Sequence, residues 1–141
     1  MKKISPMISD RLPHYDKHSA VLVVDDDKLL RSMMVAMLKM SGCSHILESA
    51  ECESAFKIAD QWGQRLKLVI VDMLMPQCSG SEFAQALHKR HPSSKFLLIS
   101  GDADNLHKPL EVLGRCADGL PKPFSFKEFS YHVHALLNRS T

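Results

Sequence analysis

No apolar run in the 141-residue chain approaches the roughly 18–20 residues that a membrane helix needs. Nor is either charge sign in excess. The 18 Lys and Arg against 16 Asp and Glu leave +2, too little to signal nucleic-acid or membrane binding from bulk charge. The four cysteines, Cys43, Cys52, Cys78 and Cys116, form no Cys-x-x-Cys pair and sit beside no ligand-spaced histidine pair, which argues against zinc. A chain of this length builds a core without staples, so no disulfide framework is expected. There is no low-complexity tract and no solenoid repeat. The start, Met1-Lys2-Lys3-Ile4-Ser5-Pro6, is basic but runs into Asp10, Arg11 and Pro13 without the apolar stretch of a signal peptide. These absences point to a soluble protein of a reducing, cytoplasmic compartment. With 45% hydrophobic and 24% charged residues, the composition is that of a globular domain.

Residues 1–19 hold no sustained periodicity and read as a mobile leader, with Tyr15 as a possible anchor if the segment docks. From Ala20 onward short apolar runs alternate with helical patterns. Ala20-Val21-Leu22-Val23-Val24 reads as a strand buried on both faces. A helix follows with Leu30, Met33, Met34, Met37 and Leu38 on one face, stopping at Ser41-Gly42. His45 to Glu48 is a short second strand, after which Ser49 caps a helix through Ala55, Phe56 and Ala59. Leu66 to Val71 is a third strand. Ser79-Gly80-Ser81-Glu82 has capping-box spacing and opens a helix that Pro92 closes. Phe96 to Ile99 is a fourth strand. The next helix is expected to start near Lys108–Pro109, with Pro109 in its first turn. Asp118 to Pro121 is a brief fifth strand. Ser125-Phe126-Lys127-Glu128 opens a last helix with Phe126, Phe129, Val133, Leu136 and Leu137 inward. Five strand–helix repeats with short connections predict an α/β fold with a five-stranded parallel sheet and helices on both faces.

Ligands of such sheets bind outside the carboxyl ends of the strands. Asp25, Asp26 and Asp27 follow the first strand, Asp72 ends the third, Ser100 the fourth, and Lys122-Pro123 the fifth. Carboxylates brought together repel by several kcal/mol unless neutralised. Lys122 supplies one positive charge, and a hard divalent cation with oxygen ligands, most simply Mg²⁺, supplies two more.

These motifs resemble the receiver domain of two-component response regulators. Val23-Val24-Asp25-Asp26-Asp27 is similar to the family's acidic motif. Asp72-Met73-Leu74-Met75-Pro76, with Gly80 beyond, is similar to its phosphoacceptor loop, Ile99-Ser100-Gly101 to its Ser/Thr motif, and Lys122-Pro123-Phe124 to its Lys-Pro motif. The resemblance implies a (βα)5 flavodoxin-like fold over residues 20–138, with 139–141 as a tail. It implies that Asp72 accepts a phosphoryl group from the phosphohistidine of a sensor histidine kinase or histidine phosphotransfer protein. Asp26, Asp72 and the backbone carbonyl of Leu74 would hold Mg²⁺, with Asp25 acting through water. Lys122 would pair with Asp72 and then with a phosphoryl oxygen, and the Ser100 hydroxyl would bond the phosphoryl group after transfer. Asp27 reads as rim. The domain would be a signalling phosphoacceptor rather than an enzyme, controlling a downstream effector or a fused output domain, with no direct nucleic-acid contact.

Two features depart from the family. Gly119 stands three residues before Lys122, where many receivers carry an aromatic that turns inward when the hydroxyl engages phosphate, and Pro109 implies an irregular fourth helix. The missing aromatic motivates a second reading, an interaction module that works without phosphorylation, against which the intact acidic set counts. A third is a phosphatase of the haloacid-dehalogenase type, in which Asp25-Asp26-Asp27 supplies an Asp-x-Asp nucleophile; it leaves Asp72-x-x-x-Pro76 unexplained. His88, His91, His107, His132 and His134 offer no metal spacing and read as solvated. The methionines, four in the first helix, read as adaptable core.

Overall fold

A computed structural model describes residues 17–139. The leader expected over 1–19 lies outside these residues up to position 16. Of the rest, Ser19 is buried and the His18 carbonyl accepts from Arg65 Nε at 2.8 Å.

Strands β1 (Ala20–Val24), β2 (His45–Ser49), β3 (Leu66–Asp72), β4 (Lys95–Ser100) and β5 (Ala117–Pro121) alternate with helices α1 (Lys28–Met40), α2 (Cys52–Trp62), α3 (Gly80–Arg90), α4 (Asp104–Leu113) and α5 (Phe126–Leu137). The strands form one sheet in the order β2-β1-β3-β4-β5, all parallel. Because successive side chains leave a strand on opposite faces, each central strand feeds two cores. Leu22, Val24, Val69, Val71, Phe96 and Leu98 meet α2, α3 and α4 through Ala55, Ala59, Phe83, Leu87, Leu106 and Leu113. Val21, Val23, Leu68, Ile70, Leu97 and Ile99 meet α1 and α5 through Met34, Leu38, Phe129, Val133 and Leu136. A register shift between Ala20 and Val21 against β3 absorbs one residue at Lys67, which leaves Leu66 and Leu68 in different cores.

Local signals explain most boundaries. Asp27 caps α1, its Oδ1 accepting from the N–H groups of Leu29 (3.0 Å) and Leu30 (3.2 Å). Gly42 ends that helix at φ 99°, a left-handed position that favours glycine. Ser79 caps α3, and Ser125 with Glu128 forms a complete capping box on α5.

Four expectations are corrected. The residue before α2 is Glu51, not Ser49; Ser49 ends β2, and its hydroxyl donates to the Glu51 carbonyl at 2.7 Å, fastening the turn. Helix α4 starts at Asp104, so Pro109 sits in its interior. The ring is buried on the same face as Leu106 and Leu113, and that packing against the sheet offsets the hydrogen bond proline cannot donate. In α1, Met33 and Met40 point outward beside an exposed Leu29, leaving Met34 and Leu38 as the buried pair. Finally, Cys52 at the start of α2 and Cys78 in the β3–α3 loop are joined by a disulfide, 26 residues apart in sequence. Tertiary proximity brings together two cysteines whose spacing carries no signal.

Gly119 is packed rather than merely vacant. A Cβ there would lie 2.9 Å from Leu110 Cδ1 and 3.1 Å from Leu106 Cδ1. Helix α4 therefore rests directly on β5 through these leucines. Gly80 is tighter still: a Cβ would stand 2.6 Å from Met73 Cα and 2.9 Å from the Asp72 carbonyl oxygen. The start of α3 is thus pressed against the backbone that carries Asp72. Gly80→Ala should cost about 1–3 kcal/mol of stability, because the obstructing atoms are backbone, whereas Gly101→Ala, with nothing within 4 Å of its Cβ, should be near neutral. Urea unfolding of the two variants checks this; equal midpoints would refute it.

Candidate functional site

Parallel strands of staggered length end at one edge of the sheet, and the polar residues gather there. Asp25 directly follows β1 and is fully buried, while Asp26 beside it is exposed. Asp72 is the last residue of β3 and is 4% exposed. One ligand oxygen from each of Asp25, Asp26 and Asp72 lies within 4.8 Å of the others. Lys122, just past β5, donates from Nζ to Asp72 Oδ2 at 3.1 Å. The Lys122–Pro123 peptide is cis, and the Lys122 N–H is anchored to the Ser100 carbonyl at 2.8 Å.

Backbone donors aim the two buried carboxylates. Asp25 Oδ1 accepts from the Asp27 N–H at 2.9 Å, and Asp72 Oδ1 accepts from the Leu74 N–H at 2.9 Å. Asp25 Oδ2, in contrast, is buried without a hydrogen-bond partner. Such an atom is costly unless something fills the gap. Burial pushes the Asp25 carboxyl up to about 6; the Asp27 N–H opposes that rise, and the nearby Asp72 carboxylate adds to it. An all-oxygen donor set with one unsatisfied buried oxygen and surplus negative charge fits a hard divalent cation such as Mg²⁺.

The sequence-predicted residues take up these places with one refinement. Asp25, Asp26, Asp72 and Lys122 converge. The Leu74 side chain is exposed and its backbone N–H bonds Asp72. Ser100 is buried at the end of β4, and its hydroxyl faces its own loop, donating to the Asp102 carbonyl at 2.9 Å and accepting from the Asp102 N–H at 3.0 Å. Asp27, read as rim, is the α1 cap. Sequence reasoning missed Arg31. Its guanidinium donates to the Asp25 carbonyl at 2.7 Å and pairs with Glu48 at 3.1 Å, clamping the acidic turn to the end of β2. Its position one helical turn beyond Asp27 was the available signal. The histidines, read as solvated, are instead mostly engaged within the chain. His91 meets Asp60, His132 meets Asp118, His134 meets the Ser41 carbonyl and His88 packs edge-on to Phe96.

Residues 21–134 match the response regulator receiver domain. The chain belongs to that family. This receiver domain is 30% identical over 121 residues to the sensor kinase CckA of Brucella abortus, covering 86% of this chain and 13% of that protein. It is 28% identical over 120 residues to the transcriptional regulatory protein CpxR of Escherichia coli, covering 85% of this chain and 50% of that one. The chain thus spans about half the length of the transcriptional regulators it matches, and far less of the sensor kinase. Among solved structures it is similar to the response regulator protein TrrA of Thermotoga maritima in complex with Mg²⁺ and BeF, with a TM-score of 0.71, 28% identity, and coverage of 84% of this chain and 98% of that one. The receiver domain carries no helix among the described residues that is long and apolar enough to cross a membrane. Membership in this family favours the receiver reading over the haloacid-dehalogenase one.

The raised Asp25 carboxyl sets a pH dependence. Its folded value, about 6, lies above the ordinary 3.8, so between these limits the folded state holds the proton more tightly than the unfolded chain. Stability from this group therefore falls as pH climbs from about 4 to 6. Asp25→Asn should stabilise the cation-free protein by about 1–3 kcal/mol at pH 7–8 and give no such gain near pH 4. Urea melts of both proteins across that range test the sign; a gain that does not vary with pH would refute it.

Proposed function

We propose that Asp72 takes a phosphoryl group from a phosphohistidine and that the aspartyl phosphate changes the surface read by a partner or a fused output domain. The observation that carries this is the Lys122 ammonium on Asp72 Oδ2 at 3.1 Å, at an edge where Asp25 and Asp26 crowd the same point. A carboxylate held in this way is a nucleophile with its charge balanced and its approach direction set. An Asp72 oxygen forms the bond to phosphorus as the bond from phosphorus to the donor imidazole breaks, and the imidazole leaves with the electron pair. Lys122 then turns its charge to a phosphoryl oxygen. Asp26, Asp72 and the Leu74 carbonyl would hold Mg²⁺, and Asp25 would act through water. The cation, when bound, supplies positive charge to the oxygens of the transferring group.

The donor is a sensor histidine kinase or a histidine phosphotransfer protein, and the reaction takes place in the cytoplasm. The receiver unit spans residues 20–138. The protein acts as a signalling phosphoacceptor that assists its own phosphorylation and dephosphorylation, and it makes no direct nucleic-acid contact.

In the present state the Ser100 hydroxyl is spent on the Asp102 turn. Engaging a phosphoryl oxygen would leave that turn without its fastening, so the 101–103 loop and the start of α4 must reorganise. This supports a relay through α4 that uses no aromatic side chain. An interaction module independent of phosphorylation is the second reading, favoured by the leucines that fill the space beside Gly119.

Incubation with Mg²⁺ and acetyl phosphate should give one hydroxylamine-sensitive label, mapped to Asp72. Asp72→Asn should abolish it, and Asp26→Asn should lower both labelling and divalent-cation binding at least about tenfold. Labelling unchanged in Asp72→Asn overturns the assignment; no labelling of the wild type favours the second reading. Amide exchange of the beryllofluoride–Mg²⁺ complex should change over residues 101–110, and no change there would rule out the α4 relay.

A further inference from the structure

The phosphoacceptor loop is covalently tied to a neighbouring helix. Cys78 lies six residues beyond Asp72, and its bond to Cys52 fixes the loop to the start of α2, with the two Cα atoms 6.7 Å apart. The two sulfurs sit in unlike surroundings. Cys52 is buried at the first position of α2, inside the core that this helix shares with the sheet. Cys78 is only partly buried and borders an open cleft of about 560 Å³ shared with Met73, Met75, Ser79 and Asn105. Cys78 is therefore the sulfur that a thiol can reach, and attack there displaces Cys52, the step by which a disulfide opens and closes.

We propose that Cys52 and Cys78 form a reversible thiol-oxidation site that couples the redox state of the cell to phosphorylation of Asp72; the coupling rests on the phosphoacceptor reading above. The oxidant is of the hydroperoxide class. The Cys78 thiolate attacks the distal peroxide oxygen, the O–O bond breaks, and the alcohol or water derived from the other oxygen leaves with one proton. Cys78 is then a sulfenic acid. The Cys52 sulfur attacks the Cys78 sulfur, the S–O bond breaks, and the hydroxyl leaves as water with the Cys52 proton. Two thiols have lost two electrons and two protons, and the peroxide is reduced to alcohol and water. A dithiol reverses the change by attacking Cys78 and expelling the Cys52 thiolate; its second thiol then attacks its own sulfur in the mixed disulfide and releases the Cys78 thiolate, and with glutathione a second molecule does this and leaves as glutathione disulfide.

The consequence follows from what the tether holds. Between Asp72 and Cys78 lie Leu74, whose N–H positions Asp72 Oδ1, and a bridge from Leu74 to Ser79 that closes the loop on itself. In the bridged form this loop is already arranged with the three carboxylates together. Opening the bridge frees the loop to explore other arrangements, and cation binding must then order it again. The oxidised form is the tighter binder of Mg²⁺ and the faster acceptor. By linkage, Mg²⁺ must favour the disulfide by the same factor that the disulfide favours Mg²⁺.

The test equilibrates the full chain in glutathione buffers of graded ratio, with and without Mg²⁺, traps thiols by alkylation and maps peptides. One internal disulfide, Cys52–Cys78, should appear, with Cys43 and Cys116 alkylated throughout. The oxidised form should bind Mg²⁺ about three- to tenfold more tightly and take up label from acetyl phosphate faster by a similar factor, and saturating Mg²⁺ should shift the glutathione midpoint to match. Cys52→Ser and Cys78→Ser should each hold the reduced rate whatever the buffer. The wild-type comparison stands without them if either variant folds poorly. Absence of the bridge at every ratio overturns the inference. So do equal Mg²⁺ affinities and uptake rates in the two forms, and in that case labelling of Asp72 still upholds the phosphoacceptor reading. If neither form is labelled, that reading has failed and the coupling falls with it.

Discussion

Three carboxylates meet at one edge of a parallel sheet, and their mutual repulsion is the constraint around which the rest of the molecule is arranged. Asp25 is taken fully out of water and keeps one oxygen unsatisfied. Asp72 is nearly as buried but is balanced by Lys122. The arrangement persists because the sheet beneath it is rigid: β1, β3 and β4 are apolar and covered on both faces. Backbone N–H groups of Asp27 and Leu74 aim the two buried carboxylates. Stability given up at the edge is offset by the packed strands, which is how strained functional sites persist.

Each support of the edge can be traced to a residue with a particular physical property. Gly80 lets the start of α3 lie against the Asp72–Met73 backbone, so the strand end has no room to retreat. Arg31 ties the Asp25 carbonyl to Glu48 at the end of β2. On the far side the Ser100 carbonyl holds the Lys122 N–H, so the hydroxyl-bearing and ammonium-bearing positions are mechanically joined. Displacement of either one is transmitted to the other through this main-chain bond.

Helix α4 is seated on β5 by an exchange of volume. Gly119 withdraws its side chain, and Leu106 and Leu110 fill the space. The same apolar face buries Pro109, so a residue that would break an isolated helix is tolerated inside this one. An aromatic relay at position 119 has no room without moving those leucines. The proposed relay from Ser100 to α4 would run through the 101–103 loop, whose fastening is the Ser100–Asp102 pair of hydrogen bonds.

By itself the sequence determined the order of the five strands and helices along the chain, the burial of the apolar central strands on both faces, and the identity of the residues at the carboxyl edge. These follow from apolar runs, caps and abrupt acidic endings, all of which are local and periodic. Tertiary structure decided what depends on distant partners. Pro109 became helix interior because its neighbours pack on the sheet. Met33 and Met40 turned outward because Met34 and Leu38, with Leu30, Val35 and Met37 packed beside them, cover the share of the core that falls to α1. Arg31 found Asp25 and Glu48, most of the histidines found partners within the chain, and Cys52 met Cys78. No spacing rule reports such contacts, because the residues involved are brought together only when separate helices and loops dock on the same sheet.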